Sequence, residues 1–172
     1  DLPGRTLPFA VSAVRPQVSG ILKARLFTEG SQVSAGQVLY QIDDARYQAA
    51  FDSAKAQLAS AKAALTTARL KAERYTSLRK DKVISQQDYD DALAALEQAQ
   101  AHVEQREADL VTARINLGYT RITAPIAGKI SRSYLTPGAL VEANQKQELA
   151  TIQTLDPIYV DVTQSSRELL YL

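Results

Sequence analysis

Two heptad repeats of equal length dominate the middle of the sequence. The segment from Asp44 to about Arg79 contains neither Gly nor Pro, and its apolar residues recur at alternating steps of four and three. Such a seam predicts a long helix that packs along its length against a second helix. The seam residues are Tyr47, Phe51, Ala54, Leu58, Ala61, Leu65, Ala68, Ala72 and Tyr75.

A second seam of the same period follows the first. It is interrupted only by Arg106, and it ends near Gly118, where we expect a left-handed residue to terminate the helix. Because the two seams match in length, they predict an antiparallel α-helical hairpin over residues 44–118. The second seam consists of Tyr89, Ala92, Leu96, Ala99, Val103, Arg106, Leu110, Ala113 and Leu117.

The hairpin turn is predicted at about residues 79–85. There Ser85 has the position of a helix cap, Asp88 can return its bond, and Ile84 can pack on Tyr89. A turn this short sets the register of the two helices, and it places the stem of Arg106 over Leu58. The predicted pairs are Tyr75 with Tyr89, Leu65 with Ala99, Leu58 with Arg106 and Phe51 with Ala113.

Charge is divided unevenly between the two helices. The first is mainly basic and the second mainly acidic, and the predicted register brings only a few pairs, such as Lys55 and Glu107, onto matching flanks. One hypothesis is that basic and acidic sides of neighbouring hairpins meet in a ring. The alternative is a solvated surface crossed by weak ion pairs.

The residues on either side of the hairpin repeat one another. Residues 15–21 read RPQVSGI and residues 124–130 read APIAGKI, and in each copy a second glycine and then an apolar strand follow. Short strands broken by Gly and Pro, in two copies, predict two small sheets that bury their apolar faces against each other. The later matches are residues 29–33 with 137–141 and residues 38–42 with 148–152.

This repeat resembles the lipoyl or biotinyl carrier fold, whose halves share the same Pro-x-x-Gly and Gly-x-x-Val pattern. In carriers, a tight turn with a modifiable Lys joins the halves. Here Ile42 leads through Asp43 and Asp44 into the hairpin instead, and no such Lys is present. A carrier function is therefore disfavoured, because its chemistry belongs to the prosthetic group.

A split lipoyl-like unit with a coiled-coil hairpin in its middle resembles the periplasmic adaptors, or membrane fusion proteins, of resistance-nodulation-division (RND) efflux pumps of the AcrA and MexA type. The resemblance spans essentially the whole chain. Its motifs are Leu2–Thr6, Val14–Gly20, Glu29–Ser31, Leu39–Asp43, Ala113–Leu117 and Leu155–Gln164.

The resemblance implies an α+β fold in which the antiparallel coiled-coil hairpin is inserted between two halves of a lipoyl-like β-sandwich. Strands of a partial β-barrel are expected at both chain ends, since Leu7–Val14 and Ile158–Thr163 bracket the sandwich. The implied boundaries are 1–13 for the first barrel strands, 14–43 and 119–153 for the two sandwich halves, 44–118 for the hairpin, and 154–172 for the remaining barrel strands.

The family also implies a function without catalysis. Such adaptors bridge a proton-driven inner-membrane transporter and a TolC-type outer-membrane channel across the periplasm, in a ring of about six. Their hairpin tips carry an Arg-x3-Leu-x6-Ser pattern that docks against the channel, and here Arg74, Leu78 and Ser85 match that spacing. An exposed Arg74 and an exposed Leu78 are expected to contact the channel, although Leu78 can instead close the hairpin end while Ser85 only caps.

Two other functions stay open from the sequence. An adaptor of an ATP-driven exporter or of a type I secretion system would share the hairpin and its tip pattern. A purely structural coiled-coil spacer would be indifferent to Arg74 and Leu78.

Composition disfavours several further classes of function. The 20 basic residues barely exceed the 19 acidic ones, so we expect no nucleic-acid partner. The chain has no Cys and a single His, His102, so we expect neither a metal site nor a cofactor. It begins at Asp1 without Met and has no apolar run that could span a membrane, so we expect an inner-membrane anchor to lie outside it.

Overall fold

In the part of the chain that the structure describes, the two helices follow each other, with four strands before them and four strands after them. The structure is a computed structural model and describes residues 4–162. Within that range the chain has the predicted α+β composition, with two helices and two sheets. By compactness it divides into two units, residues 44–118 and residues 1–43 with 119–172. The elements are β1 Gly4–Val14, β2 Gly20–Arg25, β3 Gln32–Val33, β4 Val38–Ile42, α1 Ala45–Lys80, α2 Gln86–Gly118, β5 Arg121–Thr123, β6 Gly128–Ile130, β7 Leu140–Val141 and β8 Ala150–Val162.

The helical unit is the predicted hairpin. All nine seam residues of the first helix are buried or half-buried, and Leu78 adds one further turn to the seam. The nine residues of the second seam are likewise buried or half-buried, together with Leu93 and Asn116. With 36 residues, α1 is about 54 Å long at 1.5 Å per residue. The heptad period therefore identified almost every inward-facing position of both helices.

The register of the hairpin follows the predicted pairing near its centre. Leu58, Ala61 and Val103 form one buried cluster, against which Leu65 and Leu110 pack. Arg106 is half-buried, and its guanidinium donates to Gln57 Oε1 at 2.9 Å and to Asp109 Oδ2 at 3.1 Å. The one polar seam residue thus has its charge held by neighbours at the edge of the seam.

Two details of the predicted hairpin are wrong. Glu107 pairs with Lys62 at 2.9 Å rather than with Lys55, since its carboxylate reaches the middle of α1, about two helical turns nearer the tip than Lys55. Gly118 does not have the left-handed conformation expected of it and is the last residue of α2. The chain leaves α2 through a turn at Tyr119 and Thr120, and the Thr120 carbonyl accepts the Ile42 N–H at 2.8 Å.

The sheet unit reproduces the sequence repeat as an approximate twofold symmetry. One sheet has the order β1-β8-β6-β3 and the other the order β5-β4-β2-β7. If the two repeats are exchanged, so that β1 changes places with β5, β2 with β6, β3 with β7 and β4 with β8, each order becomes the other. Each sheet therefore receives its short edge strand, β3 or β7, from the opposite repeat.

Matching hydrogen bonds anchor these exchanged strands. Gly138 N–H donates to the Leu22 carbonyl at 2.7 Å, and Leu22 N–H donates to Ala139. In the other sheet Gly30 N–H donates to the Ile130 carbonyl at 3.1 Å, and Ile130 N–H donates to Ser31. Gly30 and Gly138 have positive φ, at 75° and 96° respectively, which glycine adopts without steric cost.

The core of the sheet unit comes from the same positions of both repeats. Six aliphatic side chains there are almost completely inaccessible to solvent. Burying each contributes roughly 1.5–3 kcal/mol relative to exposure. As equivalent positions of the two repeats they are Leu22 and Ile130, Leu39 and Leu149, and Ile42 and Ile152.

The two long strands cross the boundaries that the sequence suggested. β1 pairs antiparallel with β8 from Gly4↔Val162 to Val14↔Ala150, with one irregularity between Pro8 and Ala10. Leu7–Val14 and Ile158–Val162 are therefore neighbours, as expected. Each belongs to an uninterrupted strand rather than to a separate one. The predicted barrel residues 163–172, and Leu2 and Pro3 of the first motif, lie outside the described residues.

Candidate partner-binding site

The end of α1 is closed by backbone hydrogen bonds of a Schellman motif. Val83 N–H donates to the Leu78 carbonyl at 3.1 Å, and Lys82 N–H donates to the Arg79 carbonyl at 3.0 Å. Lys82 has φ of 56°, the left-handed conformation that this motif requires and that glycine usually supplies. The turn therefore has one fixed path even though it contains no glycine.

The start of α2 is closed by the predicted cap. Ser85 Oγ accepts the Asp88 backbone N–H at 3.1 Å and donates its hydroxyl proton to Asp88 Oδ2 at 2.6 Å. The carboxylate thus returns its bond to the hydroxyl, whereas a standard capping box uses the backbone N–H of the cap residue. With both helix ends closed, the turn consists of only residues 81–85.

A cation–π contact connects the two helices just behind this turn. The Arg79 guanidinium carbon lies 4.5 Å from the centroid of the Tyr89 ring. Such a contact is worth about 0.5–1 kcal/mol at an exposed site. In front of it Val83 leaves 67% of its surface exposed. The tip therefore presents one apolar side chain on a well-held turn.

The predicted site residues take different positions on this tip. Arg74 is exposed on α1, one helical turn before Leu78, and Ser85 is exposed on the far side of the turn. Leu78 is half-buried, not exposed as expected, because the seam continues to it and its carbonyl accepts the Val83 N–H. Ser85 uses its hydroxyl for the cap. Arg74 is thus the one member of the predicted trio without a structural role at the tip.

Sequence reasoning missed Lys82, Val83 and the Arg79–Tyr89 contact. Val83 could have been identified from the sequence, because it is an apolar residue that lies between two charged helix ends and belongs to neither seam. No signal identified Lys82, because a left-handed lysine has no distinguishing pattern in one sequence. We define the tip surface as Arg74, Arg79, Lys82, Val83 and Ser85.

Two further properties concern all described residues. Within residues 4–162 no group of three or more His, Cys, Asp or Glu side chains is arranged to hold a metal ion. In the same part of the chain, neither α1 nor α2 contains a stretch apolar enough to cross a membrane.

Comparison with known proteins assigns the family. Residues 10–153 match the family described as RND MFP, barrel-sandwich hybrid domain. The chain belongs to this family of RND membrane fusion proteins. It is 56% identical over all 172 residues to the multidrug export protein AcrE of Escherichia coli K12, and covers 45% of that protein. It is 52% identical to the multidrug resistance protein MexA of Pseudomonas aeruginosa PAO1, again over its full length, and covers 41% of MexA.

Solved structures of membrane fusion proteins share the fold. The crystal structure of MacA from Actinobacillus actinomycetemcomitans superposes with a TM-score of 0.83 at 26% identity, over 97% of this chain and 56% of MacA. A MacA–MexA chimera that contains the MexA α-hairpin has a TM-score of 0.62 at 34% identity, with the same coverage. The chain spans less than half the length of the curated RND relatives that it matches.

Proposed function

We propose that this chain is the central part of a periplasmic adaptor, which bridges an inner-membrane RND drug exporter and a TolC-type outer-membrane channel in a tripartite efflux pump. The identity of more than half of all residues to AcrE carries this proposal. Two other relatives, SrpA and TtgG of Pseudomonas putida, are named periplasmic linkers of solvent and toluene efflux pumps. We place the protein in the periplasm, with its inner-membrane anchor outside the chain.

In this proposal the sheet unit and the hairpin have different roles. The sheet unit is the lipoyl-like sandwich, with halves 14–43 and 119–153, and the paired strands β1 and β8 begin a β-barrel. The hairpin 44–118 is the arm that reaches the channel. Its long seam, in which Arg106 is the one polar residue, supports this role, because a helix pair packed along its whole length resists bending.

The tip surface is the proposed channel contact. The Schellman turn and the Ser85 cap hold it in one conformation, so little ordering entropy is lost on binding. Arg74 supplies a charged donor and Val83 an apolar knob for a partner coiled coil. Leu78 contributes from within the seam by holding the turn, and Ser85 by capping α2.

Self-association into a ring of about six is part of the same proposal. The basic residues of α1 outnumber its acidic ones, while α2 is mainly acidic. One basic residue of α1, Lys62, forms an ion pair with Glu107 of α2 within the same hairpin. The other basic residues of α1 and acidic residues of α2 support a ring in which α1 of one copy packs beside α2 of the next. Self-association that weakens as salt rises is the expected sign, and salt-independent association would contradict it.

The alternative functions have less support. An adaptor of an ATP-driven exporter or of a type I secretion system would share the hairpin and its tip pattern, but the family match and the identities above 50% are to RND adaptors. A passive spacer does not need an exposed charge or an exposed Val83 on a fixed turn.

The test is drug susceptibility of cells that lack their own adaptor and carry the full-length protein at equal expression. We expect Arg74→Asp to lower resistance while the chain stays folded, because it reverses a contact charge without touching the seam. Arg121→Asp is the matched control, since Arg121 is also an exposed arginine but lies on β5 of the sheet unit, outside the hairpin. Equal effects of the two reversals would contradict the assignment of the tip.

The cap and contact roles of Ser85 are separated by a second pair of variants. Ser85→Ala removes the cap and, in this proposal, also removes a contact group. Ser85→Asp keeps a good cap but changes the surface. Loss of resistance in both variants indicates a contact, whereas loss in Ser85→Ala alone indicates that Ser85 only caps.

A further inference from the structure

One corner of the sheet unit departs from the internal repeat. Asn144 and Gly36 are equivalent, because both have positive φ and donate to equivalent carbonyls, those of Pro16 and Ala124. The next residues, Gln145 and Gln37, also match, as each accepts a backbone N–H through its side-chain oxygen at 3.0 Å.

Beyond these glutamines the two copies differ in length. Ile42 and Ile152 are equivalent, since each pairs with the matching residue of its sheet, Leu22 or Ile130. Counting back from them makes Val38 the equivalent of Glu148. Lys146 and Gln147 are therefore a two-residue insertion that the first repeat lacks.

Substitutions accompany the insertion. Tyr134 is equivalent to Leu26, because Tyr134 N–H donates to Leu149 at 2.9 Å and Leu26 N–H donates to Leu39 at 2.8 Å. By the same alignment Arg132 stands where the first repeat has Ala24, and Arg15 stands where the second has Thr123. Three cations and an aromatic ring thus occur where the equivalent positions are neutral or empty, so the fold itself does not require them.

These residues surround a shallow pocket of about 400 Å³. Its lining consists of Arg15, Tyr134, Lys146, Gln147 and Glu148. The Arg132 guanidinium carbon lies 5.7 Å from the centroid of the Tyr134 ring, which extends the positive charge over one side of the pocket.

The charges of the pocket are available for a ligand. In the part of the chain that the structure describes, no carboxylate forms an ion pair with Arg15, Arg132 or Lys146. The single acidic group of the pocket, Glu148, accepts the Thr151 hydroxyl at 3.0 Å.

The loop that carries Tyr134 is held firmly. Ser133 N–H donates to Glu29 Oε1 at 3.0 Å, and the Ser133 hydroxyl lies 2.7 Å from the hydroxyl of the fully buried Tyr40. A ligand that meets a loop fixed in this way loses little free energy to ordering it.

We propose that this pocket binds a carboxylate-bearing polypeptide segment of a partner protein. The two Arg and Lys146 attract the carboxylate, the Tyr134 ring packs on the adjacent chain, and Gln147 and Glu148 pair with its backbone amides. This site lies in the sheet unit and does not depend on the function proposed for the tip.

The test is an NMR titration of the 15N-labelled 172-residue chain with a soluble peptide of alternating Glu and Gly, against the same peptide with Gln in place of Glu. We expect saturable shifts of the Tyr134 and Lys146 amides with the Glu peptide only. Arg15→Thr and Lys146→Gln are expected to weaken binding by about two- to fivefold each, the range for an exposed charge pair.

Matched variants make the titration decisive. Lys129→Gln removes one exposed cation of the same unit outside this pocket, and we expect it to leave the affinity unchanged. Deleting Lys146 and Gln147 restores the repeat length and is expected to abolish saturable binding, with the other resonances unmoved. Equal shifts with the Gln peptide, equal weakening by Lys129→Gln, or shifts that depend only on protein concentration would overturn the proposal.

Discussion

At the scale of single residues, an unfavourable backbone conformation lies at the hairpin tip. Lys82 adopts a left-handed conformation, which costs a residue with a side chain roughly 1–2 kcal/mol. The Schellman hydrogen bonds of Lys82 and Val83 over-determine this conformation. The path of the turn is thus maintained by its hydrogen bonds rather than by residue preference.

Replacing Lys82 with Gly is therefore expected to stabilise the hairpin by about 0.5–1 kcal/mol, because glycine enters this conformation without a steric cost. Thermal unfolding followed by helical circular dichroism measures the change. Lys82→Ala is the control, since it removes the same charge but keeps the β-carbon. A gain in Lys82→Ala as large as that in Lys82→Gly would show that charge, and not conformation, is responsible.

A second residue-scale prediction concerns Tyr40. Burial raises the pKa of the Tyr40 hydroxyl above its ordinary 10.0, while its hydrogen bond with Ser133 opposes part of that shift. The folded chain therefore binds the phenolic proton more tightly than the unfolded chain. The stability that this provides is present below pH 10 and is lost as the pH rises through the folded pKa.

Tyr40→Phe removes this ionisation. We expect its free energy of unfolding to be lower than wild type near pH 7, by about 1 kcal/mol for the lost hydrogen bonds. The difference is expected to shrink above pH 10, where the Tyr40 hydroxyl of the unfolded wild type ionises while that of the folded chain, with its raised pKa, still holds its proton. Denaturant unfolding at pH 8 and at pH 10.5 measures it, and a difference that stays constant would contradict this account of Tyr40.

At the scale of elements, the extents of the two helices were predictable, and the backbone conformation at their C-terminal ends was not. The heptad period identified the inward-facing positions because burial of one stripe of a long helix leaves its mark at every turn. α2 ends at Gly118 as predicted but without a left-handed conformation there, since a glycine is compatible with such an end but does not impose one. Leu78 is half-buried rather than exposed because the seam runs one turn further than Tyr75.

The seam itself can be tested by truncating one of its residues. Leu58 belongs to the buried cluster, so Leu58→Ala is expected to destabilise the hairpin by about 2–4 kcal/mol. Leu70 is 53% exposed on the same helix, and Leu70→Ala is expected to change stability by less than about 0.5 kcal/mol. Denaturant midpoints of both variants decide the point, and similar losses would contradict the assigned seam.

At the scale of the whole molecule, the internal repeat predicted two similar halves but not how they exchange strands. Sequence similarity cannot reveal that β3 joins β6 while β7 joins β2, because both pairings connect short segments of equal pattern. The same limit applies to the pocket lined by Arg15, Tyr134 and Lys146. The sequence matches show that the second copy is longer between these segments, but only the hydrogen bonds of Gln37 and Gln145 place the extra residues at Lys146 and Gln147.

The approximate symmetry makes a graded prediction for one pair of equivalent glycines. A β-carbon on Gly128 would lie 2.4 Å from the Gln153 carbonyl oxygen, which is part of the backbone, whereas one on Gly20 would lie 2.6 Å from the Ile42 side chain. Both substitutions by Ala are expected to destabilise the sheet unit. We expect Gly128→Ala to cost more, at about 2 kcal/mol or above, because a side chain can move aside and a paired strand cannot. Thermal unfolding of the two variants compares them, and a larger loss in Gly20→Ala would contradict this geometry.

The central claim is that the hairpin tip contacts the outer-membrane channel. Residues 1–172 contain no Cys, so within them a single introduced cysteine with an attached photo-crosslinker reports on one position at a time. In cells with the full-length protein, we predict that a probe at Val83→Cys crosslinks to the channel and that one at Leu70→Cys on α1 does not. Crosslinking of the channel by Leu70→Cys, with none by Val83→Cys, would contradict the account.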